Sequence, residues 1–165
     1  MATITLGGNE IHTTGELPAV GDSAPAFSLV GRDWSAVDSE SLSGQRVVLN
    51  IFPSIDTPTC AASVRHFNES AAALDNTTIV NVSADLPPAI ARFCGAEGIE
   101  NATSGSTFRS SFGQDFGVVM ADGKLEGLLA RAVVVVDEGG TVIHSQLVPE
   151  IASEPDYDSA LSSLA

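Results

Sequence analysis

The chain has 165 residues, 44% of them apolar, enough to bury one core and too few for two comfortable ones. Its net charge of -14, from 21 acidic residues against seven Lys and Arg, argues against nucleic acid or an anionic membrane as partner and favours solubility. No stretch approaches the roughly 18 apolar residues of a membrane span, and the N-terminus lacks the basic region and long apolar core of a secretory signal, so a cytoplasmic protein is the default expectation.

In chain order, residues 3–14 alternate around a Gly-Gly-Asn turn and predict a small hairpin. A stretch punctuated by Pro and Gly runs from Gly15 to Pro25, and Ala26 to Val30 reads as a short strand. The main organisation begins at Arg46. Val47 to Phe52 is a nearly continuous apolar strand of the kind buried on both faces of a central sheet, and Pro53 stops it. Ala61, Val64, Phe67, Ala71 and Leu74 then recur at spacings of three and four, which marks one face of a helix. Thr57 suits its N-cap and Pro58 its first helical position, and Asp75-Asn76 closes it.

Thr78 to Ser83 predicts a second strand, and Pro87-Pro88 opens a short helix through Ile90, Ala91 and Phe93 that ends at Cys94-Gly95. Residues 98–110, with Gly, Asn, Ser and Thr throughout, read as a loop, followed by a short helix around Ser110 to Phe116. Ala132 to Val136 and Thr141 to Val148 are strands joined by an Asp-Glu-Gly-Gly hairpin loop. Pro155 to Leu164 ends the chain as a helix with Tyr157, Ala160, Leu161 and Leu164 on one face. This order predicts an α/β chain with a thioredoxin-like layout, a mixed central sheet flanked by helices on both faces. One domain is expected over residues 1–165, with the hairpin at its start.

Two cysteines do not make a disulfide scaffold for a chain this long; in a reducing compartment they are buried, catalytic or redox-active. There is no Cys-x-x-Cys, and His12, His66 and His144 are scattered, so no metal site is expected. Cys60 would lie in the first turn of its helix, near unpaired backbone N–H groups and the positive end of the helix dipole. Both favour a thiolate, the nucleophilic form of cysteine. A threonine hydroxyl three residues earlier, at Thr57, can both accept and donate a hydrogen bond near that sulfur. Arg131, at the mouth of the most apolar strand, is the candidate cation; Arg65 and Arg109 are weaker ones.

Residues 53–60 read Pro-Ser-Ile-Asp-Thr-Pro-Thr-Cys, directly between a buried strand and a helix. This Pro-x-x-x-Thr-x-x-Cys segment resembles the peroxidatic loop of peroxiredoxins. The wider segments 50–57, 83–87, 92–98, 130–135 and 154–157 are similar to the thiol peroxidase subfamily, the atypical two-cysteine peroxiredoxins, over nearly the whole chain. The resemblance implies that Pro53 shields the cysteine from water, that Thr57 hydrogen-bonds thiolate and peroxide, and that Arg131 stabilises the thiolate. It further implies that Cys60 is the peroxidatic and Cys94 the resolving cysteine, joined in an intramolecular disulfide that a thioredoxin-type reductant reopens. Reduction of hydrogen peroxide and organic hydroperoxides without metal, haem or flavin, by a homodimer, follows from the same likeness. A general thiol–disulfide oxidoreductase would share the fold but wants Cys-x-x-Cys, and an inert binding protein would need neither Thr57 nor a buried arginine.

Overall fold

The computed structural model describes all 165 residues. Its strands are β1 (Thr3–Leu6), β2 (Asn9–His12), β3 (Ser28–Gly31), β4 (Ala36–Asp38), β5 (Arg46–Ile51), β6 (Thr77–Ser83), β7 (Thr103–Ser106), β8 (Ala132–Val136) and β9 (Val142–Leu147). The helices are α1 (Pro58–Ala71), α2 (Pro87–Glu97), the single turn α3 (Phe112–Asp115) and α4 (Tyr157–Ser162). β1 and β2 make the expected hairpin, and the other seven strands form one sheet in the order β4-β3-β7-β6-β5-β8-β9. β5, β6 and β7 are mutually parallel, while β8 runs antiparallel to β5 and β3 antiparallel to β7. Parallel neighbours need crossovers, and α1 and α2 supply them.

Alternation along the central strands sorts side chains between two cores. Val47, Leu49 and Ile51 pack with Val134, Phe112 and Phe116 on one face. Val48, Ile79, Val133 and Val135 pack with Phe67 of α1 and with Ala160 and Leu164 on the other. Each such side chain stabilises the fold by about 1.5–3 kcal/mol relative to exposure, so β5 and β8 are held from both sides. No helix is long and apolar enough to cross a membrane.

Several expectations are corrected. Residues 98–110 contain β7, whose Thr-Ser-Gly-Ser has no apolar side chain to announce it. It is a strand because β6 and β3 supply its backbone partners. Gly105 is required there, since a Cβ would stand 2.7 Å from the Leu29 Cβ of β3. α1 stops at Ala71 rather than at Asp75-Asn76, and Asn76 takes a φ of 47° just before β6. α2 runs on to Glu97 and ends on Gly98 in the left-handed conformation, φ 66°, so Cys94 lies inside the helix and not at its end. The strand at 26–30 is β3, and it hairpins into β4, which the hydropathy pattern does not show.

The N-terminal hairpin is tied down at two carboxylates. His12 Nδ1 lies 2.7 Å from Asp122 Oδ2, a hydrogen bond that raises the imidazole above its usual 6.5 and lowers Asp122. Glu150 accepts from Ala152 N–H, Gly8 N–H, Thr5 Oγ1 and Gly7 N–H, which together hold its carboxyl down to about 2. The raised His12 contributes stability below its unfolded value and loses it as pH rises through the folded one. The depressed Glu150 and Asp122 contribute above their unfolded values and lose it as pH falls through the folded ones. Hairpin amides, corrected for intrinsic exchange, should therefore be best protected between the ordinary values of 4.5 for Glu150 and 6.5 for His12. Hydrogen exchange across a pH series checks this, and protection unchanged in alkaline buffer would remove the His12 contribution.

Candidate active site

Pro53 follows the end of β5, and residues 53–57 form a short connection into α1. Thr57 takes an extended conformation, φ -109° and ψ 144°, as the N-cap, with Pro58 opening the helix. Cys60 is then the third helical residue, in the turn whose first N–H groups have no intrahelical acceptor. It is 0% exposed, and Pro53 is buried as well. The Thr57 hydroxyl does not cap the helix; it donates to the Ser54 carbonyl at 3.1 Å, its lone pairs remaining free to accept.

Asp85, in the connection after β6, fastens this loop. Its carboxylate accepts from Ser54 Oγ at 2.8 Å, Ile55 N–H at 2.9 Å and Ser83 Oγ at 2.6 Å. The residue carried no chemical signal in the sequence beyond its place in a quoted motif, because two of its three partners, Ser54 and Ile55, come from a different loop.

Arg131 precedes β8 and shares the parity of Val133 and Val135, which face α1 and α4. Only 2% of it is exposed. Nη2 donates to Cys60 Sγ at 3.3 Å and Nε to the Ile151 carbonyl at 2.9 Å, while Nη1 is buried without a protein partner. No carboxylate pairs with it. Arg65 pairs instead with Glu97 at 3.3 Å on the surface, and Arg109 lies over the exposed Phe108 ring. Of the three arginines weighed, Arg131 is the one brought to the sulfur.

Cys94 is 3% exposed and packs in one apolar cluster with Cys60, together with Phe52, Ile55, Val64, Ile90, Phe93 and Ile99. Both cysteines are free thiols. Beneath them runs a buried polar row that sequence reasoning missed. Asn50, Asn81 and Ser104 are register neighbours across β5, β6 and β7. Asn50 Nδ2 donates to Asn81 Oδ1 at 2.9 Å and to Ser63 Oγ at 3.3 Å, and Ser63 donates to the Cys60 carbonyl at 2.8 Å. At the other end, Ser104 Oγ lies 3.6 Å from Cys94 Sγ. The readable sign was Asn50, a lone amide in an otherwise apolar strand. No cluster of His, Cys, Asp and Glu has the geometry to hold a metal ion.

A buried thiol at a helix start, faced by a buried arginine, is the arrangement the peroxiredoxin likeness implies, and comparison with known proteins decides the family. The Redoxin family model matches residues 19–161. The thiol peroxidase of Mycobacterium tuberculosis is 58% identical over 164 residues, covering 99% of both chains. This chain belongs to the thiol peroxidases. That of Corynebacterium glutamicum is 56% identical with the same coverage. The crystal structure of a peroxiredoxin-like protein from Aquifex aeolicus, 37% identical, superposes with a TM-score of 0.94 over 99% of this chain and 96% of its own. The thiol peroxidase described here is accordingly a peroxiredoxin-type enzyme, one that reduces peroxide at the expense of a thiol.

Asp85→Ala leaves Ser54, Ile55 and Ser83 without their charged acceptor. A hydrogen bond to a charged group is worth about 1.5–3 kcal/mol, so global stability should fall by about that much in urea titration. Peroxide reduction should fall with it as the loop before Cys60 loosens. Unchanged stability would show that water replaces the carboxylate.

Proposed function

We propose that this thiol peroxidase reduces hydrogen peroxide and organic hydroperoxides at Cys60, and that Cys94 resolves the product within the same chain. The observation that carries the reading is the contact between buried Arg131 Nη2 and Cys60 Sγ. Arginine stays charged in proteins, and a cation buried without a carboxylate is costly. A thiolate at Cys60 neutralises it, and the helix start adds its own positive end.

In the attack step the Cys60 sulfur takes the terminal peroxide oxygen. The O–O bond breaks, sulfur is oxidised by two electrons to the sulfenic acid, and the departing alkoxide or hydroxide gains a proton. Negative charge moves from sulfur to oxygen, and Arg131 Nη1, a buried donor without a protein partner, is available to receive it. The Thr57 hydroxyl lends its free lone pairs to the peroxide O–H. Pro53, buried in the same loop, keeps water from the sulfur.

In the second step the Cys94 thiol displaces water from the sulfenic acid, giving the Cys60–Cys94 disulfide. Both thiols are buried in one cluster but unbonded, and the strict geometry of a disulfide would be reached by local opening of α1 or α2. The polar row under them reaches both thiols, through Ser63 to the Cys60 carbonyl and through Ser104 to Cys94 Sγ. A dithiol protein of thioredoxin type then restores both thiols. We further propose that the chain acts as one domain, works in the cytoplasm, where a reducing pool suits two free cysteines, and pairs as a homodimer. The exposed and mutually contacting Trp34 and Phe108 offer apolar surface for that pairing.

Cys60→Ser should lose even the first turnover. Cys94→Ser should consume about one equivalent of peroxide at near-normal rate, stall as the sulfenic acid and move up the oxidation ladder under excess peroxide. Mass spectrometry of the oxidised wild type should show the link within one chain; a disulfide-bonded dimer, or normal cycling of Cys94→Ser with thioredoxin, would overturn the intramolecular step.

Arg131→Lys keeps the charge but cannot donate from one planar fork to sulfur, carbonyl and peroxide together. Sulfenic acid formation should slow by about a hundredfold, the scale of losing one oxyanion donor, with circular dichroism unchanged. Near-normal peroxidation by this variant would point to another stabilising group.

A further inference from the structure

We infer that Glu150 and the N-terminal hairpin act together as a positioning device for Arg131, holding the carbonyl that aims its guanidinium at Cys60. This rests on the reading of Cys60 and Arg131 as the peroxide site. A guanidinium has no directional preference of its own beyond its fork. Here the aim is set by Nε donating to the Ile151 carbonyl at 2.9 Å, which leaves Nη2 directed at the sulfur. Ile151 belongs to no helix or strand of the main sheet. Its position is determined by what grips residues 149–152.

The hairpin provides that grip. Thr5 N–H donates to the Pro149 carbonyl at 2.8 Å and Ile151 N–H to the Thr5 carbonyl at 2.9 Å, so β1 brackets Glu150 on both sides. The Glu150 carboxylate then reaches into the hairpin turn. It accepts from Thr5 Oγ1 at 3.0 Å, Gly7 N–H at 3.2 Å and Gly8 N–H at 2.9 Å, and from Ala152 N–H at 2.8 Å within its own segment. Gly7 and Gly8, at φ 58° and 84°, adopt the positive-φ backbone that turns both N–H groups toward one anion. The Ile151 side chain is buried with Ile4 and Ile11 of the hairpin and with Ala130, the residue before Arg131. The same segment touches the cysteine helix, since Thr59 Oγ1 donates to the Ala152 carbonyl at 3.2 Å, one residue before Cys60. One carboxylate thus ties the hairpin to a segment that contacts both halves of the site, which gives the hairpin, outside the main sheet, a role in the chemistry.

The test separates attack from resolution in the full-length protein. Glu150→Ala should slow Cys60 sulfenic acid formation by about tenfold, because a misaimed catalytic group loses rate steeply with displacement. The later disulfide step, which does not use Arg131, should stay within about twofold. Glu150→Gln keeps the size and one acceptor oxygen but turns an amide N–H₂ toward backbone donors, so its attack rate should lie between wild type and Glu150→Ala. It also serves if the alanine variant folds poorly. Rates are read by rapid quench and mass spectrometry well below each variant's unfolding temperature, with Cys60→Ser in parallel. A merely structural role would lower the unfolding temperature and leave the attack rate of folded protein unchanged, which overturns the inference, as would attack and resolution slowing together. If Cys60→Ser still consumes peroxide, the reading of the site fails; if it is inert while Glu150→Ala attacks at the wild-type rate, only the positioning role does.

Discussion

The structure depends on placing a permanently charged guanidinium next to a sulfur inside an apolar core. Arg131 is 2% exposed and Cys60 0%, and water screens neither. A buried cation without an anion costs several kcal/mol even after relaxation, so the surrounding residues must hold both partners at contact distance. The Ile151 carbonyl, the turn at Thr57-Pro58 and the parity of β8 all meet that requirement. A small outward shift of any of them would leave the guanidinium buried and unpaired.

The core around this pair is not uniformly apolar. Below the helices, Asn50, Asn81 and Ser104 form a row across three parallel strands, and Ser63 links it to the backbone of the cysteine turn. A fully apolar layer of the same volume would hold the helices more tightly. The opposite treatment is found at the loop before Cys60, where Asp85 takes three donors and fixes the approach to the sulfur. The loop before Cys60 is thus fully tied by one carboxylate, while the row beneath the helices keeps Asn50 Oδ1 and Asn81 Nδ2 without protein partners.

Much of this was legible in the sequence because it is local. Val47 to Phe52 and Ala132 to Val136 announce buried strands, and the spacing from Ala61 onward announces a helix. Thr57-Pro58 places Cys60 in a first helical turn, and Arg131 is readable as a lone cation at the mouth of the most apolar strand, although β8 is apolar on both faces and only the packing of Val133 and Val135 against α1 and α4 fixes which face Arg131 takes. These features follow from dihedral preference and from which face a side chain takes, and both are encoded over a few neighbouring residues.

What the tertiary structure alone decided involves partners far apart in the chain. β7 has no apolar residue and exists only because β6 and β3 need a neighbour between them. The Asn50–Asn81–Ser104 row depends on inter-strand register, which no local period records. The extension of α2 past Cys94 depends on Gly98, four positions further on. The Thr57 hydroxyl, expected at the sulfur, donates to Ser54 because Asp85 folds the loop back on itself. Arg131 donates to a carbonyl 20 residues away, on a residue whose own N–H bonds the hairpin more than a hundred positions earlier. Residue types and their faces come from short-range physics, whereas hydrogen-bond partners come from where the whole chain closes, and the site is built from both.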